Sequence, residues 1–171
     1  INQLVKEGQC GTADPVKPGI VATTVSGTLA ILGYDPLEKT VSRGVVEALG
    51  CGMKINVGDV AFRGNWATLD EKGLIIDRRA GRIREGINEL ALSITGQKID
   101  NVRIDVAAGT EHRIAVVMRG SELQDCVLGS DPGDHFHSGI NPRPIKPLNK
   151  NNPKCLRTAE LLNIFELKAR E

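Results

Sequence analysis

Val60-Ala-Phe-Arg-Gly-Asn-Trp-Ala-Thr68 is the stretch that decides the fold. From Asp59 the spacing of apolar residues changes from helical to alternating. Val60, Phe62 and Trp66 then fall on one strand face, and Ala61, Arg63, Asn65 and Ala67 on the other. The second face is unusual, because two small alanines flank an arginine and an amide. Such a face leaves room for a ligand where a core would place bulk. Gly73 to Arg79 reads as the hairpin partner of this strand, joined through the turn Asp70-Glu-Lys-Gly73.

Further along, an amphipathic helix is expected from about Arg84 to Ile94, with Ile83, Ile87, Leu90, Ala91 and Ile94 along one side. Strand Val102–Ala108, a turn at Gly109 and strand His112–Arg119 come next. Residues 129–152 hold much of the proline and little periodicity, which predicts a long ordered loop. The last helix opens with Asn152 as N-cap and Pro153 at the first helical position, and its apolar stripe is Ala159, Leu162, Phe165 and Ala169. The order β-β-α-β-β-α points to an α/β protein of the α+β type: a mostly antiparallel sheet, four-stranded or larger, with helices packed on one face.

Upstream of the deciding stretch, Ser26–Gly33 and Arg43–Leu49 read as short helices, with a Pro- and Gly-punctuated loop over Thr12–Gly19. The opening residues Ile1–Gly8 read as the last turns of a helix, with Gly8 as a left-handed cap. A helix without its own beginning suggests a chain cut from something larger.

The chain has 171 residues, enough for one domain, or one domain carrying a subdomain. With 22 Lys+Arg against 21 Asp+Glu, charge is nearly balanced, which argues against a surface built wholly for nucleic acid. Aromatic residues are too few and too scattered for a base-stacking platform. No apolar run reaches the roughly 20 residues a membrane span needs, and no charged-then-apolar leader is present, so the chain reads as soluble and untargeted. Cys10, Cys51, Cys126 and Cys155 stand far apart, which predicts free buried thiols in a reducing cytoplasm rather than a disulfide or zinc framework.

Four segments could carry chemistry. Asp77-Arg-Arg-Ala-Gly-Arg-Ile-Arg84 places four arginines at a strand–helix junction, where guanidinium forks could close on a phosphate or carboxylate. The same residues also suit a solvated turn whose arginines pair with Asp77 and Glu85. Gly109-Thr-Glu-His-Arg113 puts His112 and Arg113 at a strand start, although a lone surface histidine would look identical. Asp131-Pro-Gly-Asp-His-Phe-His137 gathers carboxylates and imidazoles that could surround a metal ion, or simply occupy a surface loop. Thr23-Thr-Val-Ser-Gly-Thr28 sets hydroxyls at a helix start, where they could bind phosphate or serve as ordinary N-caps, Thr24 or Ser26.

Five motifs recur in one order: Leu32-Gly-Tyr-Asp-Pro36, Ser42-Arg-Gly-Val-Val-Glu-Ala-Leu-Gly50, Gly58-Asp-Val-Ala-Phe-Arg-Gly-Asn-Trp-Ala-Thr68, Asp77-Arg-Arg-Ala-Gly-Arg82 and Gly109-Thr-Glu-His-Arg113. Together they resemble the archaeal-type cofactor-independent phosphoglycerate mutases of the alkaline phosphatase superfamily. The resemblance implies interconversion of 3-phosphoglycerate and 2-phosphoglycerate through a phosphoenzyme, with a pair of divalent metal ions (manganese, or magnesium, zinc or cobalt) in the full-length parent and none bound by this chain. It implies that residues 1–50 hold the nucleophile-loop segment of an incomplete catalytic core and residues 51–171 the inserted substrate-binding domain. It places Thr24 at the nucleophile and metal-ligand position, where the family carries serine, with Val25 and Thr28 replacing the family's Asp and His. It assigns Arg63, Asn65, Arg78, Arg79, Arg82, His112 and Arg113 to binding of 2- or 3-phosphoglycerate. The partner so implied is the rest of the parent catalytic domain, with no nucleic acid and no membrane. An inactive substrate-binding portion of an enzyme and a non-catalytic phosphoester-binding or regulatory module are the two functions left open.

Overall fold

The structure is a computed structural model and describes residues 2–9, 11–38, 40–133 and 137–170. It divides into two compact units, Ile1–Val41 and Ser42–Glu171.

The first unit holds α1 (Asn2–Glu7) and α2 (Thr24–Ile31). The Gly8 amide donates to Leu4 O at 2.8 Å, but Gly8 does not take the left-handed φ expected of it. The N-cap of α2 is Thr23, not Thr24 or Ser26. Its hydroxyl accepts from Ser26 N while Ser26 Oγ accepts from Thr23 N, a reciprocal capping box. At the other end Gly33 adopts φ +87°, which lets Tyr34 N reach back to Leu29 O at 2.9 Å and close the helix.

The second unit is built on a sheet of strands β1 (Val60–Asn65), β4 (Gln97–Ile99), β5 (Val102–Ala108) and β6 (Arg113–Arg119), in the order β1-β6-β5-β4 and antiparallel throughout. Alternation along β5 and β6 sends Val102, Ile104, Val106, Ile114, Val116 and Met118 to one face. There they pack against Ala91 and Ile94 of α4 (Ile87–Ile94) and Ala159, Leu162 and Phe165 of α5 (Pro153–Lys168). These two helices lie on a common face, as the sequence indicated. A third helix, α3 (Arg43–Gly50), covers the opposite face, where Ala48 meets Ala61, Ala115 and Val117. The small residues of β1 therefore make room for a helix at Ala61, not for a ligand. Gly44 explains how close that helix comes: a Cβ there would sit 1.9 Å from Ala61 O.

The pairing of β1 differs from the hairpin expected. Val60 to Asn65 run against Met118 to Arg113, so the distant β6 takes the main strand. Only Thr68–Leu69 (β2) turns back on Ile75–Asp77 (β3), through a turn in which Asp70 Oδ1 accepts from Lys72 N and Leu74 N. Burial decides the competition. β6 is buried along its five central residues on both faces, whereas β3 buries Ile75 alone. The loop after β6 is tied down by β7 (Val127–Leu128) pairing with β8 (Lys146–Pro147), and by a bridge from Ile75 to Ile140.

Cys126 and Cys155 form a disulfide, their Cα atoms 5.3 Å apart, joining the approach to β7 to the first turn of α5. This corrects the expectation of free thiols: spacing in sequence does not report which strands and helices the fold brings together. Cys51 is free, while Cys10 lies outside the described residues. No described helix is long and apolar enough to cross a membrane.

Candidate anion-binding site

The C-terminal end of β1 and the N-terminal end of β6 lie side by side, and the site is built on them. Asn65 stands directly opposite Arg113. By alternation Arg63, Asn65 and Arg113 share the face covered by α3. Trp66 N donates to His112 O at 2.7 Å, carrying the ladder one step further and fixing His112 beside Trp66. Glu47 of α3 approaches Arg63 at 3.7 Å, and it fits because Gly109 is bare: a Cβ there would lie 3.1 Å from Glu47 Oε1.

Just past β3, Arg78 reaches toward the loop after β7. Its Nη2 donates to Asp131 Oδ2 at 3.2 Å and its Nη1 to Gly133 O at 2.7 Å, with Nε 3.1 Å from Asp131 Oδ1. Asn65 Nδ2 donates to the same Asp131 Oδ2 at 3.1 Å. Asp131, the first residue of the segment read for a metal or a surface loop, has its carboxylate held by an arginine and an amide; Asp134, His135 and Phe136 lie outside the described residues. Arg63, Asn65, Trp66, Arg78 and Asp131 line an open concavity of about 730 Å³ along β1.

The other arginines divide differently. Arg79 and Arg82 are exposed, on a tight turn where Ala80, Gly81 and Arg82 have φ of 44°, 61° and 55°. Asp77 does not pair with these arginines as a solvated turn would require. It accepts from the backbone amides of Arg79 and Gly81 at 2.8 and 2.7 Å, which holds the left-handed turn in place and lowers its own pKa. Arg84 pairs with Glu111 at 2.9 Å. Neither Arg79, Arg82, His112 nor Arg113 lines the concavity itself. Arg79 and Arg113 nevertheless act on His112, and Arg113 on Arg63, through their charge.

Buried polar atoms without a hydrogen bond are concentrated here among the described residues: Arg63 Nε, Asn65 Oδ1, Trp66 Nε1, Arg78 Nε, His112 Nδ1 and Arg113 Nε, against Gln97 Oε1 and Arg157 Nε elsewhere. Arg78 Nε and Arg63 Nε still face the carboxylates of Asp131 and Glu47, at 3.1 and 3.7 Å; burying the remaining polar atoms without a hydrogen bond is costly, and burying like charges together is more so. The electrostatics agree. Burial, then repulsion from Arg43 and Arg113, lowers the Arg63 pKa; burial, then Arg113 and Arg79, lowers that of His112. A multiply charged anion would supply the missing acceptors and the missing negative charge at once.

Thr24 belongs to the first unit and is exposed in the first turn of α2. It offers a single hydroxyl, and among the described residues no group of three or more His, Cys, Asp or Glu side chains is gathered for a metal ion.

Sequence patterns missed Asp131 as a partner of arginine, and missed Arg43 and Glu47. The available signal was Ser42-Arg-Gly-Val-Val-Glu47, where a helix N-terminus places both charged residues, one turn apart, against a glycine that permits close approach.

A four-stranded antiparallel sheet with helices on its faces defines an α+β fold, with arginine side chains gathered at the ends of β1 and β6. Residues 5–171 match the family described as 2,3-bisphosphoglycerate-independent phosphoglycerate mutase, and the chain belongs to that family. Among its relatives, the phosphoglycerate mutase of Picrophilus torridus is 43% identical over 171 residues, and that of Saccharolobus solfataricus 41% over 170. These alignments cover 100% and 98% of this chain but 40% of each relative, so the chain spans about two fifths of their length. The solved cofactor-independent phosphoglycerate mutase from Thermoplasma acidophilum superposes with a TM-score of 0.70 at 39% identity, over 88% of this chain and 39% of that one.

Proposed function

We propose that this chain is the substrate-binding portion of a phosphoglycerate mutase that interconverts 3-phosphoglycerate and 2-phosphoglycerate. The observation that carries it is the set of buried nitrogens without a hydrogen bond on Arg63, Arg113 and His112 beside β1, in a chain of this family. Phosphoglycerate carries a phosphate and a carboxylate, the two anions a guanidinium fork matches best. Arg63 and Arg113 hold it from the strand ends, Asn65 and His112 supply neutral polar contacts, and Arg79 and Arg82 close from the exposed turn. Arg78 acts through the loop it clamps.

The phosphoryl group passes through a phosphoenzyme on the Thr24 hydroxyl of the whole protein. The pair of divalent ions expected of that protein, manganese or a similar cation, requires ligands beyond those the described residues assemble. A glycolytic role places the protein in the cytoplasm. Disulfides are established in the cytosol of hyperthermophilic archaea and bacteria, so the Cys126–Cys155 bond is compatible with that location.

Titration of the chain with 3-phosphoglycerate, followed by NMR, tests the binding. Resonances of Arg63, Asn65 and Arg113 should shift at millimolar ligand, and Arg63→Ala should weaken binding about tenfold or more. Absence of shifts at these residues rejects the proposal. Val25 and Thr28 flank Thr24 where the family has an acid and an imidazole, and this favours a second reading, a phosphoester-binding module without catalysis. Phosphoryl label on the full-length protein that disappears in Thr24→Ala excludes that second reading; no label on the wild type selects it.

A further inference from the structure

The Asn65 amide is held in one orientation by Asp131, a loop residue far from it in the chain. Asp131 Oδ2 lies 3.1 Å from Asn65 Nδ2. An ionised carboxylate only accepts hydrogen bonds, so the amide must turn its NH2 toward Asp131 and its Oδ1 away. Asp131 cannot swing aside easily. Arg78 grips it through Nη2, Gly133 N donates to its Oδ1 at 2.8 Å, and Arg78 Nη1 holds Gly133 O. As a result, Asn65 Oδ1 is buried and has no hydrogen-bond partner. Around it stand donors that want an acceptor, while Oδ1 is itself an acceptor that wants a donor. A bare phosphate or a simple carboxylate brings no donor for it. A hydroxyl does.

We propose that Asp131 is a positioning residue: it locks the Asn65 amide so that Oδ1 accepts a hydrogen bond from a ligand hydroxyl, which makes the site select phosphorylated carboxylic acids that carry a free hydroxyl over those that do not. The inference rests on the anion-binding reading above and adds a basis for discrimination to it. An anion site made of arginines alone would treat a hydroxylated ligand and its deoxy analogue alike. Leaving Oδ1 unpaired against the analogue penalises it.

The test compares 3-phosphoglycerate with 3-phosphonooxypropanoate, the same molecule without its hydroxyl, by titration of the full chain. The wild type should bind the hydroxylated ligand about tenfold tighter or more. In Asp131→Asn the amide is free to turn over, and in Asn65→Ala the acceptor is gone; both should bring the ratio of affinities to about one. The ratio is the informative quantity, because a merely structural role of Asp131, or the extra positive charge its loss exposes, changes both affinities together. Before any ligand is added, the side-chain amide protons of Asn65 should be protected from exchange in the wild type and lose that protection in Asp131→Asn. Equal affinities in the wild type, a ratio kept by Asp131→Asn, or an unprotected wild-type amide each overturn the inference while leaving the anion site standing. Failure of the wild type to bind either ligand overturns the anion-site reading and the inference with it.

Discussion

At the scale of single residues the candidate site buries polar groups that have no hydrogen-bond partner. His112, only 5% exposed, carries that most sharply. Its pKa is lowered first by burial and then by Arg113, Arg79 and Arg63, with Glu111 opposing. The unfolded histidine takes up a proton near pH 6.5, above the folded value. Stability contributed by His112 is therefore complete above about pH 6.5 and is lost as pH falls through the folded pKa, because only the unfolded state accepts the proton readily. Urea unfolding at descending pH should show this decline, and His112→Gln should remove that part of it. Phosphate bound among the arginines would offset their charge, so the His112 pKa measured by NMR should rise on addition of inorganic phosphate. The residues of this site were partly legible in sequence. Arg63 and Asn65 stand out because alternation puts them on a face with alanines. Asp131 was not legible, because its partners Asn65 and Arg78, in β1 and just past β3, lie far earlier in the chain, and no local pattern joins them.

At the scale of elements, local chemistry announced the helices and long-range competition decided the strands. Asn152 caps α5 through Lys154 N with Pro153 following, as the sequence indicated. The partner of β1 was hidden, because a turn sequence predicts a hairpin whereas burial on two faces favours β6. The contact of α3 with β1 gives the cleanest test. Gly44→Ala drives a methyl into the backbone of Ala61 and should cost about 3 kcal/mol in urea unfolding. Gly50→Ala, at the end of the same helix, meets nothing within 4 Å and should leave stability nearly unchanged or slightly raised. The first variant should also disturb the site, since α3 carries the Glu47 that faces Arg63.

At the scale of the whole molecule, the Cys126–Cys155 bond closes a loop of 29 residues in sequence separation, and that loop contains Asp131 and Gly133. Replacing both cysteines by serine should cost about 3 kcal/mol, seen as a fall of about 10 °C in Tm. The pairing of Val60 with Met118 has a consequence in time rather than in space. β5 and β6 are neighbours in sequence and can zip together as soon as both exist, whereas β1 must await a chain that closes a long loop around it. The strand that carries Arg63 and Asn65 is thus made early and seated late. Pulse-labelled hydrogen exchange during refolding should protect Ala107 and Ala115, whose amides join β5 to β6, before Phe62, so that the edge carrying Arg63 and Asn65 is the final part of the sheet to take shape.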